Sequence, residues 1–259
     1  MVESRPFGMT ADGDPVVLIT LRSPSGLELD VATYGGIVTR LLAPDRDGHL
    51  ADDVLGHERL EPYLAGTPYF GAIVGRYGNR IARGRFTLDG TEYVLAVNDG
   101  THHLHGGERG FDKVVWQADP LSNGAGAGPE AGVVLSFVSP DGDEGYPGEL
   151  SVRVTYTLTS DAGLRIDYEA RTDAPTVVNL THHGYWNLAG HEKRDVLDHE
   201  ISIEASRFTP VDVSLIPTGE LQLVEGTPLD FRSPTAVGAR IEADDEQLGF
   251  GGGYDHNFV

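Results

Sequence analysis

The sequence predicts an all-β protein, on three observations. Apolar and polar residues alternate with period two along much of the 259-residue chain, no stretch sustains the periodicity of a long helix, and Gly, Pro, Asp and Asn punctuate the gaps between the alternating runs. A chain of this length can bury a sizeable core, and β-sandwiches of this size commonly form one domain, so a single domain over residues 1–259 is expected.

Taken in order, runs at 16–21, 27–33 and 37–43 are the first candidate strands, and a short helical turn is expected near 60–64. The clearest element is the hairpin within 84–97, where Asp89-Gly90 separates two alternating runs; this pair tolerates the positive φ angles of a tight turn. The small residues of 122–129 can bury almost nothing and read as a flexible surface loop. Further strands are expected at 133–138, 150–159, 164–171 and 177–180. In the second of these, Val152, Val154, Tyr156 and Leu158 fall on one face, and Ser151, Arg153, Thr155, Thr157 and Thr159 on a wetter one. No repeat of the length expected for a propeller or solenoid is present.

Composition narrows the function. With 19 Lys plus Arg against 40 Asp plus Glu, the net charge of −21 repels phosphate backbones and anionic membranes, which argues against nucleic acid or a membrane surface as a partner. The absence of cysteine excludes disulfides, thiolate zinc sites and a cysteine nucleophile. The first ten residues lack the apolar core of a signal peptide, and no segment is long and apolar enough to span a bilayer, so a soluble cytoplasmic protein is expected.

Chemistry concentrates in two histidine clusters. The first, Asn98-Asp-Gly-Thr-His-His-Leu-His105-Gly-Gly-Glu108, stops at paired glycines; the second is Asn179-Leu-Thr-His-His183-Gly-Tyr185-Trp-Asn187. Imidazole gives and takes protons near neutral pH, so the clusters point to acid/base chemistry or metal binding on a small polar substrate. In an extended segment side chains alternate, which would put His103 and His105 on one face and split His182 from His183. His103, His105 and Glu108 also resemble part of a metal-binding β-barrel motif. In the run 75–85, Asn79 donates and accepts, and Arg80 offers a fixed fork of donors suited to sugar hydroxyls or carboxylates; a cationic edge strand is the competing reading. Tyr185 and Trp186 provide flat surface for a sugar ring or for the core. Asp255, after Gly251-Gly-Gly, either accepts from vicinal hydroxyls or caps a turn.

Together these segments resemble the aldose 1-epimerase (galactose mutarotase) family. The similarity is carried by Gly75-Arg-Tyr-Gly-Asn-Arg-Ile-Ala82, Leu104-His-Gly-Gly107 with Gly110-Phe-Asp-Lys113 and Trp116, and Val178-Asn-Leu-Thr-His-His-Gly-Tyr-Trp-Asn-Leu188. It continues in Ile216-Pro-Thr-Gly219, Pro228-Leu-Asp-Phe231 and Tyr254-Asp-His-Asn-Phe258, in the family's order over nearly the whole chain. The resemblance implies a large antiparallel β-sandwich whose concave face interconverts the anomers of a free hexose, as a monomer or homodimer without metal or organic cofactor. It implies His183 as the acid, His105 as a catalytic, sugar-contacting partner, and Asn79, Arg80, Tyr185 and Asp255 as substrate-binding residues.

The family's general base is a glutamate that follows the Tyr-Asp-His-Asn-Phe motif, and this chain ends one residue after it. The chain is therefore expected to lack C-terminal strands, and no carboxylate in it is assigned the base. That leaves a noncatalytic carbohydrate-binding protein as the alternative. A metal-dependent enzyme using His103, His105 and Glu108 is another, and a sugar phosphate epimerase would need Arg76, Arg80, Arg83 and Arg85 gathered in one pocket, which alternation disfavours.

Overall fold

The structure, a computed structural model, describes residues 1–121 and 130–259. The loop expected at 122–129 lies outside the described residues. The chain forms two compact units, Met1–His191 and Glu192–Val259.

The first unit opens with an antiparallel meander of β1 (Val2–Met9), β2 (Pro15–Arg22), β3 (Glu28–Ala32), β4 (Val38–Pro44) and β5 (Leu50–Asp52), paired in that order. After helix α1 (Glu61–Ala65) come short strands β6 (Ala72–Val74) and β7 (Arg80–Ile81). They are followed by the hairpin β8 (Arg85–Leu88) and β9 (Thr91–Val94), then β10 (His103–Leu104). A second antiparallel meander consists of β11 (Gln117–Pro120), β12 (Ala131–Ser139), β13 (Leu150–Leu158) and β14 (Leu164–Thr172), and β15 (Thr181–His183) follows.

The two meanders share one core. Ile19, Leu21, Leu29, Val31, Val38 and Leu41 of the first sheet pack with Val133, Leu135, Val152, Val154 and Leu158 of the second, around Ile73, Phe111 and Trp116. Each such side chain, taken from water, contributes roughly 2 kcal/mol of transfer free energy. The wide aromatic residues bury their polar atoms only with partners: Trp116 Nε1 donates to Phe111 O at 3.1 Å and the Tyr156 hydroxyl to Gly36 O at 2.9 Å. Strand β2 is buried on both faces, because Val16 and Leu18 join a second cluster with Tyr34, Ile37, Leu60 and Tyr63. Its nearly unbroken apolar run, which alternation alone would not require, follows from that double burial.

The all-β sandwich architecture agrees with the sequence, as do the Asp89-Gly90 hairpin, with φ of 49° and 81° at its corner, and the helical turn near 60–64. On β13 the expected apolar face is buried, while Ser151 and Arg153 are exposed and Thr157 is buried. Residues 177–180 do not form a strand. They run past the 75–80 segment, with Asn179 bridging Tyr77, and regular pairing starts only at Thr181.

In the second unit, β16 (Glu200–Ile201) pairs with β19 (Thr235–Ala236), and β17 (Arg207–Phe208) with β18 (Gln222–Leu223). Phe208, Val224 and Leu229 form its core with Tyr254 and Phe258 against them. Helix α2 (Glu246–Gly251), not expected from the sequence, starts at Asp245, whose carboxylate accepts from Gln247 N at 2.9 Å and Leu248 N at 3.3 Å. Asp255 lies exposed in this unit, beyond the glycines that end α2.

Candidate active site

Pairing of β6 with β15 places His183 opposite Ala72, with His182 opposite Ile73. Gly71 immediately precedes β6; it donates to His183 O at 2.9 Å, and a Cβ there would stand 2.1 Å from Val38 O. The two histidines split as alternation requires. His182 turns toward Tyr156 and Trp186, and His183 turns toward Tyr69, His105 and Tyr185.

His105 reaches the same place from another direction. β10 pairs with β7, Leu104 opposite Arg80 and His103 opposite Ile81, and the chain then leaves extended geometry, with φ of 51° at His105 and 66° at Asn79. His105 N donates to Asn79 O at 3.0 Å, and Asn79 N donates back to the ring Nδ1 of His105 at 2.9 Å. The His105 and His183 ring centroids are 5.2 Å apart and nearly perpendicular. Tyr69, at 4.6 Å from His105 and 5.5 Å from His183, closes a triangle, and Tyr185 flanks His183 at 5.2 Å while packing on Phe70.

This geometry separates the chemistry of the two imidazoles. Because Nδ1 of His105 accepts a backbone N–H, the neutral ring carries its proton on Nε2 and is a donor there. Burial, followed by the charges of His183, Arg80 and Lys113, pushes the His105 pKa down to about 4. His105 is therefore neutral near pH 7. Two imidazolium rings at 5.2 Å would also repel each other, so the pair favours one proton at a time.

Arg80 is aimed by Asp99, whose Oδ2 accepts from Nε at 2.8 Å, while the Asn79 side-chain oxygen accepts from Arg80 N at 2.8 Å. Asn179 staples this run to the approach of β15, accepting from Gly78 N at 2.7 Å and donating from its side chain to Gly78 O at 3.0 Å. Behind Tyr69, Lys113 Nζ lies 5.5 Å from the ring centroid and 2.9 Å from Asp112 Oδ2. Asp112 is buried, and its carboxyl pKa is raised by desolvation, which Lys113 partly offsets.

Among the site residues expected from sequence, Asn79, Arg80, His105, His183 and Tyr185 come together within the first unit. The shared face expected for His103 and His105 is not formed: His103 is fully buried, bonded through Nδ1 to Ala96 O at 2.7 Å and through Nε2 to the Tyr146 hydroxyl at 2.5 Å. The left-handed turn at His105 breaks the alternation. Nor do His103, His105 and Glu108 gather as ligands. Among the described residues, the one group of three or more with ligating atoms within 4.8 Å is the exposed Asp45, Asp47 and His49. Arg76 is likewise no pocket residue: it is buried, donating to Ser139 Oγ and to the carbonyls of Ser139, Pro140, Pro147 and Gly148. Trp186 packs near His182 rather than beside His183.

Sequence reasoning missed Tyr69 and Asp99. Tyr69, followed by Phe70, lies outside both histidine clusters. Asp99 sits in the first cluster, but its partner, Arg80, is set only by folding.

A family model described as aldose 1-epimerase matches residues 17–259. Galactose mutarotase of Sus scrofa is 50% identical over 233 residues, which span 90% of this chain and 64% of that protein. Aldose 1-epimerase of Escherichia coli (strain K12) is 38% identical over 251 residues, 97% of this chain and 70% of that protein. Among solved structures, galactose 1-epimerase from Lactobacillus acidophilus NCFM is similar with a TM-score of 0.89 at 28% identity, covering 100% of this chain and 74% of the other. An aldose epimerase homologue from C. elegans gives 0.78 at 32% identity, over 86% and 66% of the two chains. The chain thus spans about two thirds of the length of these relatives, 64% for the pig protein.

Proposed function

The chain belongs to the aldose 1-epimerase family, and on that premise we propose that it interconverts the α and β anomers of a free, unphosphorylated hexose by opening and reclosing the ring. The observation that carries this reading is the His105–His183 pair, 5.2 Å apart, with one ring held as a neutral Nε2–H donor.

His183, as imidazolium, delivers a proton to the ring oxygen as the C1–O5 bond breaks and its electron pair passes to that oxygen. His105 donates a hydrogen bond from Nε2 to the same oxygen, steadying the developing charge without losing its proton. The anomeric hydroxyl gives up its proton to a base while C1=O1 forms. The aldehyde end then rotates about C1–C2, and the ring recloses as O5 attacks the other face of the carbonyl: the protonated base returns its proton to O1, and His183 recovers its proton from O5. In the family the base is the glutamate after the Tyr-Asp-His-Asn-Phe motif, and no residue of 1–259 is assigned that role. Arg80 and Asn79 bind sugar hydroxyls and Tyr185 packs on the ring.

An unphosphorylated sugar is favoured because the arginine cluster that a phosphate needs is dispersed. Arg76 is buried on backbone carbonyls, Arg80 pairs with Asp99, and Arg85 pairs with Glu92 at 2.5 Å. The charge of −21 supports a neutral substrate too. The reading extends to hexose metabolism in the cytoplasm by a monomer or homodimer.

The test is polarimetry on pure α-galactose or α-glucose. The optical rotation is expected to relax faster than in buffer, in proportion to protein concentration; relaxation at the buffer rate overturns the proposal.

A further inference from the structure

We propose that Glu144 is a positioning residue whose carboxylate, by holding the backbone N–H groups of Glu108 and Arg109, sets the turn that presents His105. The activity arm of this inference rests on the function proposed above; its structural arms do not.

Past Leu104 the chain makes a turn that ordinary extended backbone cannot hold, with φ of 51°, 92° and 108° at His105, Gly106 and Gly107. Glu144 grips its far side, accepting from Glu108 N at 3.0 Å through Oε2 and from Arg109 N at 3.0 Å through Oε1. The approach is close enough that a Cβ on Gly107 would stand 2.0 Å from Oε2 and push the carboxylate off its two N–H groups, and the φ of 108° itself favours glycine. Asn98 holds the near side, its side chain donating to Leu104 O at 2.9 Å and Gly107 O at 3.0 Å while accepting from Leu104 N at 2.8 Å. Charge-assisted bonds from two adjacent amides make the Glu144 grip the stronger of these.

Glu144 is itself fixed. Its backbone oxygen accepts from Ala96 N at 3.1 Å, and Ala96 O in turn meets the ring of His103, next but one to His105. The buried Arg76 guanidinium ties down both ends of its loop, at Ser139–Pro140 and at Pro147–Gly148. Tyr146, two residues on, bonds His103. The loop thereby carries one carboxylate to the turn whose other end is the His105 ring, where Nδ1 accepts from Asn79 N at 2.9 Å.

The experiment compares wild-type protein with Glu144→Gln, in which one oxygen remains to serve two N–H groups, and with Glu144→Asp. Histidine side chains labelled with ¹⁵N are followed by NMR from pH 8 to 5, with His105 assigned by its loss in His105→Asn. In the wild type His105 is expected in the Nε2–H form, without titration above about pH 5. In Glu144→Gln it is expected to mix tautomers and to titrate nearer the ordinary histidine value of about 6.5. Mutarotation kcat should fall roughly ten-fold or more while KM moves less than about two-fold, with partial recovery in Glu144→Asp. A role confined to stability would lower the melting temperature and leave the His105 titration in place. A folded Glu144→Gln with unchanged His105 titration overturns the proposal, whatever its melting temperature. Should neither variant fold, amide exchange at Glu108 and Arg109 in the wild type decides: protection supports the grip, and exchange at unstructured rates overturns it. Absence of mutarotation in the wild type would remove the function proposed above, while the His105 titration and the amide exchange would still decide the role of Glu144.

Discussion

His105 and His182 are imidazoles whose burial holds them neutral, each with its pKa pushed down to about 4, His182 by desolvation and then by His183. An unfolded chain returns both to about 6.5, so between these values it binds more protons than the folded protein and acid favours unfolding. Stability from this source is present above about pH 6.5 and is lost as pH falls toward 4. The unfolding free energy from urea titrations is expected to drop between pH 7 and pH 5, by at most about 2 kcal/mol per ring, and His182→Asn should flatten the slope; a pH-independent value contradicts this. The importance of these side chains is legible in the sequence because histidines cluster beside glycines. Their division of labour is not. Alternation groups His103 with His105, yet one is a core residue bonded to Tyr146 and the other turns away at φ 51°. That turn depends on Asn79 and Glu144, both distant along the chain.

At the scale of elements, turns dictated by adjacent residues are readable and pairings between distant segments are not. The Asp89-Gly90 corner follows from two residues that tolerate positive φ, and the hairpin forms as expected. By contrast, β15 finds β6 across most of the first unit, so nothing local marks where its ladder begins, and residues 177–180 resemble a strand without forming one. Strand β1 is hidden for a related reason: Glu3-Ser4-Arg5-Pro6 shows no alternation, and the segment is extended because β2 offers an edge. Two glycines separate these cases experimentally. Gly90→Ala meets no atom within 4 Å and should cost only the strain of its φ, about 1 kcal/mol, with mutarotation unchanged. Gly71→Ala would drive a Cβ toward Val38 O and displace β6 with its partner β15, so it should cost roughly 3 kcal/mol or more and lower kcat as well. Equal behaviour of the two variants in denaturation and polarimetry would contradict the placement of β6 as the support of His183.

For the molecule as a whole, the sandwich of the first unit is a scaffold whose apolar core holds up the strand pair that carries His183. Leu135, fully buried between the two meanders and facing Gly36, carries packing alone. Leu135→Ala should cost about 2–5 kcal/mol by chemical denaturation and leave KM unchanged at temperatures where the variant is folded; a raised KM with little loss of stability would contradict that separation. The sheet content is legible because a two-residue period survives in isolated strands, but the order of strands in each sheet is fixed by burial across the sandwich. What the scaffold achieves is convergence: segments 69–80, 98–113 and 179–185 meet at one pair of imidazoles. The most direct measurement of that convergence is polarimetric turnover and calorimetric sugar affinity for His183→Asn beside the wild type. The expected result is a loss of turnover of roughly a hundred-fold or more with affinity nearly retained. Equal loss of both, or undiminished turnover, would remove His183 from the acid role and contradict the mechanism.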